Sequence, residues 1–130
     1  LSGFYDSVGL YDTPSGYERE VAESWIERIG LGGRNDQKLR ELSFGQRRMA
    51  LIARAMVKQP EILIADEPTQ GLDDSHALMV LELLDAIGRE SSSCLLYVTH
   101  NPDERLQSIT HTLELVVQPG GGSEAITRPA

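Results

Sequence analysis

Two adjacent carboxylates, Asp66 and Glu67, follow the apolar run Ile62–Ala65, and a histidine, His100, follows a second apolar run and Thr99. An unpaired charge at the end of a buried strand is costly, so the acidic pair is expected to face a ligand site. An aspartate at a strand tip suits Mg²⁺, which prefers oxygen ligands and keeps part of its water shell. A neighbouring glutamate can polarise a water for attack on phosphorus. A histidine beside such a site can hydrogen-bond a terminal phosphate and sense its loss. The bland alternative is a solvated turn, "DEPT", with Pro68 ending the strand. Four apolar residues before the acids weigh against it.

A third constellation is "LSFGQ", Leu42 to Gln46. Ser43 with Gln46 three residues on forms a Ser-x-x-Gln capping box, which stabilises a helix by about 1 kcal/mol. The same residues can present donors to an anion, since Ser43 and the Gly45 backbone stand at the positive end of the helix dipole. Gly45 would permit close approach, and Arg47 and Arg48 would add positive potential. These residues alone leave both readings open.

The elements that must position these groups follow from apolar spacing. Val21, Ala22, Trp25, Ile26 and Ile29 predict a helix over 17–29, stopped by Gly30, Gly32 and Gly33. A second helix is expected over 44–58, ended by "KQP", and a third over 74–90 with Leu78, Leu81, Leu84 and Ile87 at spacing three. Residues 62–65 and 94–98 read as strands, 1–16 as loop, and a short helix is expected after Pro102. A hairpin is expected from 113–117 and 125–127 around "PGGG". Two strands apolar throughout and separated by a helix predict an α/β fold, with neighbouring parallel strands covered on both faces. Ligands in such sheets bind beyond the carboxyl ends of the strands, where Asp66, Glu67 and His100 fall.

The bulk properties are those of one soluble domain or part of one: 130 residues, 40% hydrophobic and 25% charged. A net charge of −8 repels phosphate backbones, so direct nucleic-acid binding is not expected. The single cysteine, Cys94, excludes an internal disulfide, suits a reducing compartment and is expected to be buried in "CLLYV". His76 and His111 receive no functional role. No bilayer-spanning run or signal peptide is visible. The first residue, Leu1, suggests a piece of a longer protein.

Taken in order, "LSFGQ", "ILIADE", "GLDD" and "VTH" resemble the signature, Walker B, D-loop and switch-histidine motifs of the ATP-binding cassette (ABC) ATPases. The resemblance implies an incomplete P-loop NTPase fold acting on ATP and Mg²⁺. It implies Asp66 for water-mediated Mg²⁺ contact, Glu67 as general base, His100 on the γ-phosphate and Asp73 in communication across a dimer. Ser43, Gly45 and Gln46 would act in trans, on ATP held by a partner cassette. Residues 1–45 would belong to the helical, signature-bearing part and 46–130 to the catalytic core, with a β-hairpin at the carboxyl end. Phe44 and Met49 depart from the usual pattern. Phe44, with "SGFYDSVGLY" and "ITHTLELV", is similar to the tandem-cassette ModF/PhrA group, linked to molybdate transport or photorepair.

No G-x-x-x-x-G-K-[ST] occurs, and neither lysine, Lys38 or Lys58, follows a glycine. The chain alone is therefore expected to be inactive, with hydrolysis a property of its parent. The resemblance implies a cytoplasmic location, peripheral at a membrane, and as partners a second cassette and a membrane permease. A bare sheet edge and face would favour self-association. Two rival readings stand beside this one: a non-catalytic module capping a partner's nucleotide, and an ATPase linked to DNA repair.

Overall fold

The computed structural model describes residues 15–34, 37–118 and 120–130; of the expected loop over 1–16, residues 1–14 lie outside them and Gly16 opens a helix. Helix α1 spans Gly16–Arg28. The Ser15 hydroxyl accepts from Glu18 N at 3.2 Å, and Ser15 N donates to the Glu18 carboxylate at 2.8 Å. At its other end Gly30, at φ 71°, donates to the Glu27 carbonyl, and Leu31 N donates to that of Ile26. This 5→2 and 6→1 pair is a Schellman stop, for which glycine's freedom at positive φ is required.

A 3₁₀ turn over Leu39–Glu41 leads into α2, Phe44–Met56. Strand β1 is Ile62–Asp66, α3 is Asp74–Glu90, and β2 is Cys94–Val98. The two strands pair in parallel with Ile62 opposite Cys94 and Asp66 opposite Val98, so β1–α3–β2 is one crossover unit. Strands β3, His111–Val117, and β4, Ser123–Pro129, form a separate antiparallel hairpin. The α/β class with a parallel sheet, flanking helices and a carboxyl-terminal hairpin is thus observed.

The core lies between one sheet face and the helices. Helix α2 packs on α1 and on α3, placing Met49 and Met56 among Val80, Leu84 and Ile87 of α3 and Leu63 and Ala65 of β1. Each of the buried Met, Val, Leu and Ile side chains contributes roughly 1.5–3 kcal/mol by leaving water.

Three local expectations differ from the structure. The strands are covered on one face only: Ile62 and Ile64 are 60% and 64% exposed, and Leu96 and Val98 share that open face. Cys94 stands on the same face and is exposed rather than buried. A five-residue apolar run does not reveal how many layers cover it. The short helix after Pro102 does not form, because Asn101 Oδ1 takes the Asp103 N–H at 3.1 Å and closes a turn instead.

Candidate functional site

The carboxyl ends of β1 and β2 open onto a cleft of about 430 Å³ lined by Glu67, Thr69, Gln70, Thr99, His100 and Glu104, among others. Asp66, the last residue of β1, is exposed on the uncovered face. Glu67 has left the strand with φ at 42°, a left-handed conformation that a non-glycine residue adopts at an energetic cost of order 1–3 kcal/mol. Its turn is pinned on both sides. Glu67 N donates to the Val98 carbonyl at 2.9 Å, and its own carbonyl accepts from Gln70 N at 3.1 Å.

This strained turn brings Glu67 Oε1 to 2.7 Å from His100 Nε2. The two candidate hydrolytic side chains, thirty-three positions apart in sequence, therefore touch. Glu67 is mostly covered, whereas the His100 side chain is 87% exposed, leaving its ring accessible to a ligand.

The amino terminus of α2 carries the expected capping box. Ser43 Oγ accepts from Gln46 N at 3.2 Å, and Ser43 N donates to Gln46 Oε1 at 3.1 Å. Gly45 also has a packing neighbour. The space its Cβ would fill is taken by His76, whose Cδ2 would lie 2.2 Å away. The missing side chain thus admits a neighbour from α3, and His76 acquires a packing role. The arginines are also engaged. The Arg47 guanidinium donates weakly back to the Arg40 and Leu42 carbonyls, at 3.4 and 3.5 Å, and Arg48 stacks over the Phe44 ring at 5.7 Å. Neither is held solely for an anion.

Asp73 caps α3, accepting from His76 N at 3.0 Å and from Ser75 Oγ at 2.6 Å, while its second oxygen meets His76 Nδ1 at 2.7 Å. The Ser75 hydroxyl, then the His76 N–H and ring, hold its carboxyl well below the usual carboxylate range. Phe44, Gly45, His76 and Asp73 consequently join the signature segment to the D-loop segment within one chain. The Phe44 ring edge also lies 3.7 Å from where a Gly71 Cβ would stand.

Sequence reading missed Glu104, Thr69 and Tyr97. Tyr97 OH donates to Glu104 Oε2 at 2.5 Å, Thr99 Oγ1 to the same oxygen at 2.8 Å, and Thr69 Oγ1 to Oε1 at 2.7 Å. The available signal was Tyr97 itself: a phenol inside an apolar run needs a partner when covered.

Residues 5–70 match the protein family described as ABC transporter, and the chain belongs to that family. It is 40% identical over 123 residues to the ABC transporter ATP-binding protein ModF of Escherichia coli K12, covering 94% of this chain and 25% of ModF. It is 43% identical over 107 residues to the ABC transporter ATP-binding protein YlmA of Bacillus subtilis 168, covering 82% of this chain and 40% of YlmA. The chain therefore spans a quarter to two fifths of these relatives.

Two solved structures share the fold. One is cbiO1 from Clostridium perfringens, part of the transporter complex cbiONQ, at TM-score 0.68 and 28% identity, over 80% of this chain and 41% of that one. The other is the cassette MJ0796 in a dimeric post-hydrolysis state bound to ADP and Pi, at TM-score 0.64 and 27% identity, over 87% and 48%. These are P-loop NTPase cassettes, and the chain shares their architecture.

Proposed function

We infer that this chain is the carboxyl-terminal part of an ATP-binding cassette, and that the longer protein hydrolyses ATP between two cassettes to drive transport. The observation that carries this is the meeting of Glu67 with His100 at the carboxyl ends of parallel strands, beside Asp66, in a chain of this family. Residues 1–45 are assigned to the helical, signature-bearing part and 46–130 to the core.

The donor set fits hydrated Mg²⁺ as a partial shell. The Asp66 carboxylate takes no hydrogen bond within the described residues, and among them no cluster of three His, Cys, Asp or Glu side chains is arranged to hold a metal. Phosphate oxygens and water would complete the coordination. When bound, Mg²⁺ supplies charge neutralisation on the phosphates. Glu67 orients a water and accepts its proton at Oε1 or Oε2. His100 steadies Glu67 through Nε2 and turns its exposed ring toward the terminal phosphate. Ser43, Gly45 and Gln46 offer the α2 amino terminus to the nucleotide of the opposing cassette, and Asp73 lies at the cassette–cassette boundary.

The family reading implies a cytoplasmic protein, peripheral to a membrane permease. No helix among the described residues is long and apolar enough to cross a membrane. Relatives named for lipoprotein release, thiamine import and zinc uptake are 36–42% identical over 67–77% of this chain. Likeness to ModF favours molybdate-linked transport as the finer reading. Lacking the G-x-x-x-x-G-K-[ST] loop, the 130-residue chain alone is expected to be inactive.

Phosphate release from Mg-ATP by the longer protein tests the reading. Asp66→Asn should raise the Mg²⁺ concentration for half-maximal turnover about tenfold, by removing the anionic ligand. Absence of ATP turnover in the unsubstituted protein would overturn the assignment.

A further inference from the structure

Glu104 stands four residues beyond His100 and is partly buried. Its carboxylate accepts from four donors: Thr69 Oγ1 at 2.7 Å, Tyr97 OH at 2.5 Å, Thr99 Oγ1 at 2.8 Å and Asn101 Nδ2 at 3.4 Å. The placement of these donors is informative. Thr69 follows Glu67 by two residues, Tyr97 lies in β2, and Thr99 immediately precedes His100. One carboxylate thus ties the segment leaving β1 to the segment leaving β2, the two segments that carry Glu67 and His100.

We propose that Glu104 is a positioning residue for ATP hydrolysis, a staple across the carboxyl ends of β1 and β2 that fixes the Glu67–His100 contact. The inference rests on the reading of Glu67 and His100 given above. A carboxylate suits the role because it is a pure acceptor with two oxygens, able to meet four converging donors. Glutamine would turn an NH₂ group toward hydroxyls that now donate. Burial pushes the Glu104 carboxyl up, but the Tyr97, Thr69, Thr99 and Asn101 donors outweigh it and hold the group below its ordinary value. It is therefore ionised at neutral pH.

The strained turn at Glu67 explains why a staple is needed. A left-handed glutamate persists only where its surroundings over-determine it. The Glu67 N–H and C=O are fixed by two backbone bonds, but neither bond sets the side-chain distance to His100. The Thr69 and Thr99 links to a common carboxylate do so from the flanking positions. Misplacement of reacting groups by about 1 Å can lower a rate about 100-fold, so a loosened staple should be visible in turnover.

The test is Glu104→Gln in the longer protein, with and without His100→Ala. In the otherwise unsubstituted background, kcat should fall about tenfold or more while KM for ATP stays within about twofold, the pattern of a lost transition-state geometry. With His100→Ala, the same change should lower kcat by no more than about twofold, because residues acting as a unit are non-additive. An unchanged kcat, or an equal loss in both backgrounds, would overturn the proposal.

Thr99→Val provides a second route that leaves the carboxylate in place, and should give a smaller loss in kcat at constant KM. An independent readout is the His100 ring resonance in the nucleotide-free protein. It should move on Glu104→Gln in the same direction as on Glu67→Gln, with the His76 and His111 resonances still. If the longer protein turns over no ATP, the functional reading fails while this spectroscopic result still decides the staple: an unmoved His100 resonance refutes it.

Discussion

Replacing Gly45 with alanine should destabilise the fold by driving a wedge between α2 and α3. The new Cβ would stand 2.2 Å from His76 Cδ2, 2.5 Å from Cγ and 2.7 Å from Cβ, whereas carbon atoms rest at about 3.5–4.0 Å. Rotating the imidazole cannot clear the clash, since the His76 Cβ is fixed to the α3 backbone. Overpacking of this kind costs about 1–3 kcal/mol, and alanine's better helix propensity returns at most about 1 kcal/mol. With three atoms at 2.7 Å or closer the upper part of that range, about 2–3 kcal/mol, applies, so the net loss is about 1–2 kcal/mol, or about 4–7 °C in Tm for a chain of this size. Urea unfolding followed by circular dichroism measures it. In a His76→Gly background, which removes the Cβ as well as the ring, the penalty should vanish, giving a coupling of at least about 1 kcal/mol between the two positions. A Gly45→Ala protein as stable as the original, or one equally weakened with and without His76, would refute the packing role.

Acid should weaken the fold through Glu104 and Asp85. Burial raises the Asp85 carboxyl, but the Ser108 N–H at 2.7 Å and the Arg89 guanidinium bring it below its ordinary value. Groups with lowered folded-state pKa stabilise fully above their unfolded values, and that contribution is lost as pH falls through the folded ones. Thermal melts should thus be flat near pH 6–7 and decline below about pH 4.5, with a shallower decline in Glu104→Gln; an equally steep decline in that variant would remove Glu104 from the effect. Cys94 on the open sheet face should react readily with a thiol reagent in the native chain and slowly in the longer protein, and slow reaction in both would show the face already covered. The same face should drive concentration-dependent self-association in sedimentation, which Ile64→Lys abolishes; a persistent dimer would place the contact elsewhere.

Helix ends and motif order were legible because they depend on local chemistry. Ser43 with Gln46 writes its own cap, and Gly30 its own stop. Asp66, Glu67 and His100 were found because charged and polar residues following apolar runs are conspicuous. What escaped was set by distant partners. Nothing near Gly45 in the sequence announces that His76, thirty-one positions away, fills its empty side. Cys94 was read as buried because covering of the second sheet face depends on layers that the run "CLLYV" does not encode. Glu104 carries no local mark of its role, because Thr69, Tyr97, Thr99 and Asn101 gather around it only in the fold. The absent helix after Pro102 reflects a competition that Asn101 wins by closing its own turn.

The most direct measurement of the central claim is single-turnover ATP hydrolysis by the longer protein carrying Glu67→Gln, with nucleotide affinity measured alongside. Removing the general base while keeping the side chain's shape should slow the chemical step about 100-fold or more and leave ATP affinity within about threefold. Hydrolysis at the original rate would contradict the account, whatever the affinity.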